Sequence, residues 1–162
     1  MTEPSWLKRA RAFVGLREVP GRATAPIISK WLVMLRAWWS DDETPWCGVF
    51  AAAVMRLEGF DPPQRWYRAR AWLDFGTPIR EPALGCVVVF ERKGGGHVGF
   101  VVGNDEAGRL MVLGGNQGNA VTIAPFDRSR VLGYRWPTTN LAPGGPLPLV
   151  ASRGAKPSIN EA

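Results

Sequence analysis

Gly85-Cys86-Val87-Val88-Val89-Phe90-Glu91-Arg92-Lys93-Gly94-Gly95-Gly96-His97-Val98-Gly99-Phe100-Val101-Val102-Gly103 is where the chain changes its period. Two short apolar runs rich in β-branched and aromatic residues flank a glycine turn, which reads as a hairpin of buried strands. Downstream the same rhythm continues. Strands are predicted over residues 86–91, 97–103, 109–113, 120–124 and 131–136, separated by glycine-rich or polar turns. Connections this short favour antiparallel neighbours.

Upstream the spacing is helical. Residues 3–14 put Trp6, Ala10, Phe13 and Val14 on one face, and residues 25–39 carry the stripe Ile27, Trp31, Met34, Leu35 and Trp38. Thr24 is a candidate cap there, with Pro26 in the first turn. A third helix opens at Thr44-Pro45-Trp46-Cys47, with Thr44 as cap and Pro45 as the first helical residue, and Gly59 closes it. A short helical piece is expected over residues 69–75. Helices first and a strand meander second make an α+β domain, with N-terminal helices packed on a five- to six-stranded antiparallel sheet. Residues 1–137 form this domain. Residues 138–162, with four prolines and three glycines and no periodicity, form a tail.

The formal charge of +6 is uneven: +5 over residues 1–40, −3 over 41–60, +2 over 61–80, and +1 each over 81–136 and 137–162. A basic chain is drawn to polyanions, of which nucleic acid and the anionic polymers of a bacterial envelope are two. No nucleic-acid-binding motif is present, so nucleic acid is not an expected partner. No apolar run is long enough to span a membrane, and Met1-Thr2-Glu3-Pro4-Ser5 leads into a charged amphipathic stretch rather than a secretory leader. The expectation is a monomer made in the cytoplasm without a signal peptide. The two cysteines do not make a disulfide framework, and one histidine with two distant cysteines lacks metal-site spacing. Neither metal nor cofactor is expected.

The chemistry converges on Cys47 and His97, the only histidine, fifty residues later. A free thiol ionises near pH 8.5, and a helix N-terminus or an imidazolium lowers that value. At a helix start, backbone N–H groups of Cys47 and Gly48 can also hold the oxyanion formed when sulfur attacks a carbonyl. His97 opens a strand after three glycines, where a base for the thiol is required. Taken alone, Cys47 reads more readily as a buried small residue and His97 also reads as a satisfied strand end; the pair favours catalysis. Asn116, in Gly114-Gly115-Asn116-Gln117-Gly118-Asn119, is the first candidate to orient the imidazole, with Gln117, Asn119 and Asp105 as rivals. Trp46, Trp66, Tyr67, Trp72 and Gln117 are candidate substrate contacts, with core packing as the other reading for the aromatics. Asp42, in the acidic run Asp41-Asp42-Glu43, is a candidate to meet a substrate ammonium group.

Thr44-Pro45-Trp46-Cys47, Gly96-His97-Val98-Gly99-Phe100, Gly114-Gly115-Asn116-Gln117 and Gly133-Tyr134-Arg135-Trp136-Pro137, in that order, resemble papain-like cell-wall hydrolases of phages and prophages. These are related to the NlpC-type and CHAP peptidoglycan amidases, and the resemblance covers about residues 5–137. It implies a papain-like core and hydrolysis of an amide in the peptide part of peptidoglycan. Cys47 would be nucleophile, His97 base and then acid, and Asn116 the orienting group. Phage endolysin is the setting it suggests, acting on the wall after release. A tail-associated hydrolase, a secreted antibacterial effector amidase and a non-catalytic wall-binding module are the alternatives. In one departure, such proteins often carry Pro-Gly-Asp before the strand preceding the histidine. This chain has Leu84-Gly85-Cys86, which puts the local turn in question.

Overall fold

The computed structural model describes residues 3–19, 25–38 and 46–159. Among these, three helices, α1 (Ser5–Arg11), α2 (Pro26–Met34) and α3 (Cys47–Leu57), and a 3₁₀ segment (Ala69–Asp74) precede the sheet. Its strands are β1 (Thr77–Ile79), β2 (Val87–Arg92), β3 (Gly95–Asn104), β4 (Leu110–Gly114), β5 (Thr122–Phe126) and β6 (Val131–Trp136). All pair antiparallel, in the spatial order β1-β6-β2-β3-β4-β5. This is the expected α+β architecture, consistent with a papain-like core.

The differences from expectation are local. β2 to β5 form the meander, but β6 pairs with β2 rather than β5, and then takes β1 on its outer side. β1 is a three-residue edge strand with a central proline, tolerated there because an edge does not need every N–H. α2 stops at Met34 because Arg36 turns left-handed at φ 58°, and the Ala37 N–H closes the end on the Leu32 carbonyl at 2.9 Å. Its buried face is Ile28, Trp31, Leu32 and Leu35, which leaves Trp38 72% exposed rather than in the core. α1 likewise ends at Arg11, so Val14 is exposed. Ala25 caps α2, and the expected cap Thr24 lies outside the described residues.

α3 is the central element. Every residue from Cys47 to Met55 is buried, as expected of a helix covered on all sides. Phe50 joins the layers, with ring centroids 6.3 Å from Phe13, 5.7 Å from Trp31 and 6.3 Å from Phe100. Truncating such a ring costs about 3–5 kcal/mol. α1 and α2 pack on one side of α3, and β3 and β4 lie on the other.

The Pro/Gly-rich segment runs against the far end of the sheet. Asn104 N–H donates to the Pro148 carbonyl at 2.9 Å, and Val150 N–H to the Asn104 carbonyl at 2.7 Å. Arg109 reaches Ser152 Oγ at 3.1 Å and the Ala155 carbonyl at 2.9 Å. No helix among the described residues is long and apolar enough to cross a membrane.

Candidate active site

α3 begins at Cys47, two residues later than its capping pattern predicts. Trp46 takes the cap position, with φ −119° and ψ 18°, and makes no side-chain cap bond. Thr44, Pro45 and the acidic run with Asp42 lie outside the described residues. The shift matters chemically. The first N–H groups of a helix have no partner within it, and Cys47 is now the first residue. Phe50 N–H donates to the Trp46 carbonyl at 2.9 Å, while the N–H groups of Cys47 and Gly48 act on the Cys47 sulfur to lower its pKa. The N–H of Val98, from β3, completes this set.

One local feature permits close packing at the helix start. Gly48 has no side chain to obstruct it; a Cβ there would lie 2.2 Å from the Trp66 carbonyl oxygen. Burial pushes the Cys47 thiol above its ordinary value. The Val98 and Gly48 N–H groups, the Arg92 charge and its own N–H pull the other way without prevailing. A thiol held above its ordinary value needs a base to take its proton before it reacts.

His97 precedes Val98 and is wholly buried. Its ring stacks on Phe126, 5.3 Å away and 5° from parallel, and on Phe90, its cross-strand partner, at 6.3 Å and 23°. The Arg130 guanidinium lies over Phe90 and Phe126, 5.8 and 5.6 Å from their centroids. The ring plane is thus set by packing.

The other constraint is a hydrogen bond. His97 Nε2 lies 3.0 Å from Gln117 Oε1. The Gln117 amide nitrogen donates to the carbonyls of Thr122 at 2.9 Å and Val112 at 3.2 Å, which leaves its oxygen facing the imidazole. Gln117 Oε1 can only accept, so Nε2 carries the proton and Nδ1 of the neutral ring is left as the basic nitrogen.

The first candidate to orient the imidazole, at the nitrogen that Gln117 meets, was Asn116. Counting on from the Phe100–Leu113 pair puts residue 116 opposite His97, but Asn116 turns left-handed at φ 60°, and the longer side chain of the next residue returns to the ring. Asn116 is buried beside it. Gln117, at 3% exposure, is a buried support rather than a substrate contact. Gly118 and Asn119, with φ 65° and 61°, form a two-residue turn closed by Gln117 N–H on the Ala120 carbonyl, so Asn119 faces solvent. Asp105 lies at the far end of β3, 2.7 Å from Arg109.

Three of the expected cleft aromatics are core instead. Trp46, Trp66 and Trp72 are at most 8% exposed. Trp46 Nε1 donates to Glu18 at 2.9 Å and Trp72 Nε1 to the Trp66 carbonyl at 3.0 Å, so these two indoles have internal partners for their polar ends. Tyr67 does line the cleft. Glu18 belongs to a segment that sequence reading passed over. Gly15 N–H donates to the Val121 carbonyl at 2.9 Å, Val121 N–H to Leu16 at 2.8 Å, and Glu18 N–H to Asn119 at 3.0 Å. One stretch therefore holds both the Trp46 cap and the turn that carries Gln117. Where Leu84-Gly85-Cys86 departs from the related pattern, the turn is kept: Cys86 N–H donates to the Ala83 carbonyl at 2.9 Å.

Cys47 opens onto a cleft of about 600 Å³. Arg65, Arg68, Arg70 and Arg92 line it, and none was singled out from the sequence. The one available signal was the close spacing of the first three. Among the described residues, no group of three or more His, Cys, Asp or Glu is placed to hold a metal.

A thiol at a helix start, beside the strand of an oriented imidazole, is the arrangement the motif resemblance implies. Residues 39–116 match the CHAP domain. The matched stretch includes Cys47, His97 and Asn116 and stops one residue short of Gln117. A CHAP domain implies peptidoglycan hydrolase activity in general terms. No curated protein and no solved structure matches the chain.

Proposed function

We propose that the protein is a cysteine amidase that cuts an amide in the peptide part of peptidoglycan. The observation that carries this reading is the placement of the Cys47 sulfur among the N–H groups of Cys47, Gly48 and Val98, next to the strand position of His97. In the first step His97 Nδ1 takes the thiol proton as sulfur bonds to the scissile carbonyl carbon. The oxyanion is held by the N–H groups of the helix start. The C–N bond then breaks, and the imidazolium returns the proton to the leaving amine. Water adds to the thioester with His97 again as base, the S–C bond breaks, and the thiol is restored. Gln117 takes part by holding the imidazole, not by touching substrate.

The endolysin setting rests on the motif resemblance alone. Purified sacculi test the chemistry. Wild-type protein should release soluble peptide fragments, and Cys47→Ala should bind sacculi without releasing any. Full lytic activity in Cys47→Ala would overturn the mechanism. Binding without turnover by the wild type would favour a non-catalytic wall-binding module. Mass spectrometry of the fragments identifies the bond.

A further inference from the structure

We propose that the arginines around Cys47 form an anion subsite, and that the substrate is a peptide bearing a free carboxylate close to the amide that is cut. This deepens the amidase reading and rests on it. The cleft beside the sulfur is lined by Arg65, Arg68, Arg70 and Arg92, against Asp74 as the one acidic member among the described residues. Arg65 and Arg68 come from the stretch leading into the 3₁₀ segment, Arg70 lies within it, and Arg92 ends β2. Two separate elements thus bring cations to one cavity.

Arg92 and Arg70 stand differently. Arg70 Nε donates to the Gly95 carbonyl at 3.0 Å, and its guanidinium lies 4.0 Å from Glu91, so it braces the glycine turn. Arg92 Nε is buried with no hydrogen-bond partner, and the Arg92 charge is felt at the Cys47 sulfur. A buried donor left unmatched costs about 1–3 kcal/mol, and native proteins keep few of them. A carboxylate satisfies such a group well, because the guanidinium fork matches its two oxygens. Gly94, Gly95 and Gly96 line the same cavity and bring no side chain over it. A substrate whose carbonyl sits at Cys47 must lay its neighbouring groups in this cleft. An unamidated acidic residue of the wall peptide supplies the anion, and a carboxamide at the same place does not.

Two measurements test this. The first needs no turnover: alkylation of Cys47 by iodoacetate, an anion, and by neutral iodoacetamide, the thiolate displacing iodide in both. Arg92→Gln should lower the ratio of the two rates by about tenfold relative to wild type, the size expected for losing one close charge contact. Its iodoacetamide rate should fall only by the thiolate fraction that the Arg92 charge supported, a loss common to both reagents that the ratio removes, whereas a misfolded variant would react with both like a free thiol. Arg68→Gln, at an exposed position, serves as a second variant and should lower the ratio less. An unchanged ratio in both variants overturns the subsite.

The second measurement uses a pair of wall peptides that differ only in a carboxylate or carboxamide next to the scissile amide. Wild type should cleave the carboxylate form at least about tenfold better in kcat/KM, and Arg92→Gln should lose that preference. Equal cleavage by wild type overturns the substrate assignment. If neither peptide is cut and Cys47→Ala lyses sacculi normally, the amidase reading has failed, while the alkylation ratio still decides the anion subsite.

Discussion

Cys47 and Cys86 are both free and both buried, and burial raises the pKa of each. Their surroundings separate them. Cys86 is pushed up to about 12, countered only by N–H groups of its own turn, and has no exposed surface. Cys47 opens onto a cleft, and N–H groups from two elements and an arginine charge pull against the burial. On the proposed mechanism, depth alone does not make a thiol inert. What differs is whether polar groups from outside the local turn are aimed at the sulfur, and whether a cavity reaches it.

The sharpest way to break this contrast is to remove each thiol. Cys47→Ala should lower hydrolysis of sacculi by at least about 10⁴-fold, as loss of a nucleophile does, while Cys86→Ala stays within about twofold of wild type. A comparable loss from both would mean that the effect is structural. Labelling the native protein with iodoacetamide near neutral pH, followed by peptide mapping, should modify Cys47 at least about 10²-fold faster than Cys86. Next comes the imidazole's support. Gln117→Leu should reduce kcat about 10²-fold with little change in KM, the size expected when a reacting group is mispositioned. Asn116→Gly, which suits the positive φ there, should lose less than about tenfold. The reverse order would return the orienting role to Asn116.

The smallest effect on lysis concerns alkali. In the fold Cys86 holds its proton up to about 12, against about 8.5 for a free thiol. That contribution to stability is fully present below about pH 8.5 and is lost as pH rises towards about 12. Cys86→Ala should flatten the fall in chemical-denaturation stability over that window. What remains belongs to Cys47 and Tyr134, both also raised by burial. An unchanged alkaline profile would place Cys86 in contact with water.

Periodicity marked β2 to β6 to within a few residues because each is a short apolar run bounded by glycine or polar turns. It could not show that β6 inserts between β1 and β2, since strand order depends on which edge is open, not on local spacing. β1 went unseen because three residues around Pro78 show no alternation. At the site, Cys47 and His97 stood out as residue types. That Gln117 reaches the His97 ring depends on a positive φ at Asn116, and no single sequence encodes that plainly. The arginine cleft was hidden for another reason: Arg92 and the Arg65–Arg70 group are neighbours only through the fold. The tryptophans misled because an indole looks the same in a core and in a cleft until its N–H partner is known.

The stretch Gly15–Glu18 ties the two halves of the site to one another. It is bonded to Val121 and Asn119 on one side and, through Glu18, to Trp46 on the other. Sulfur and imidazole are thus registered through one strip of chain as well as through the sheet. Loosening that strip would misplace both partners together. Heat inactivation should then run as one event, with lytic activity fading ahead of the helix signal rather than in two separable losses.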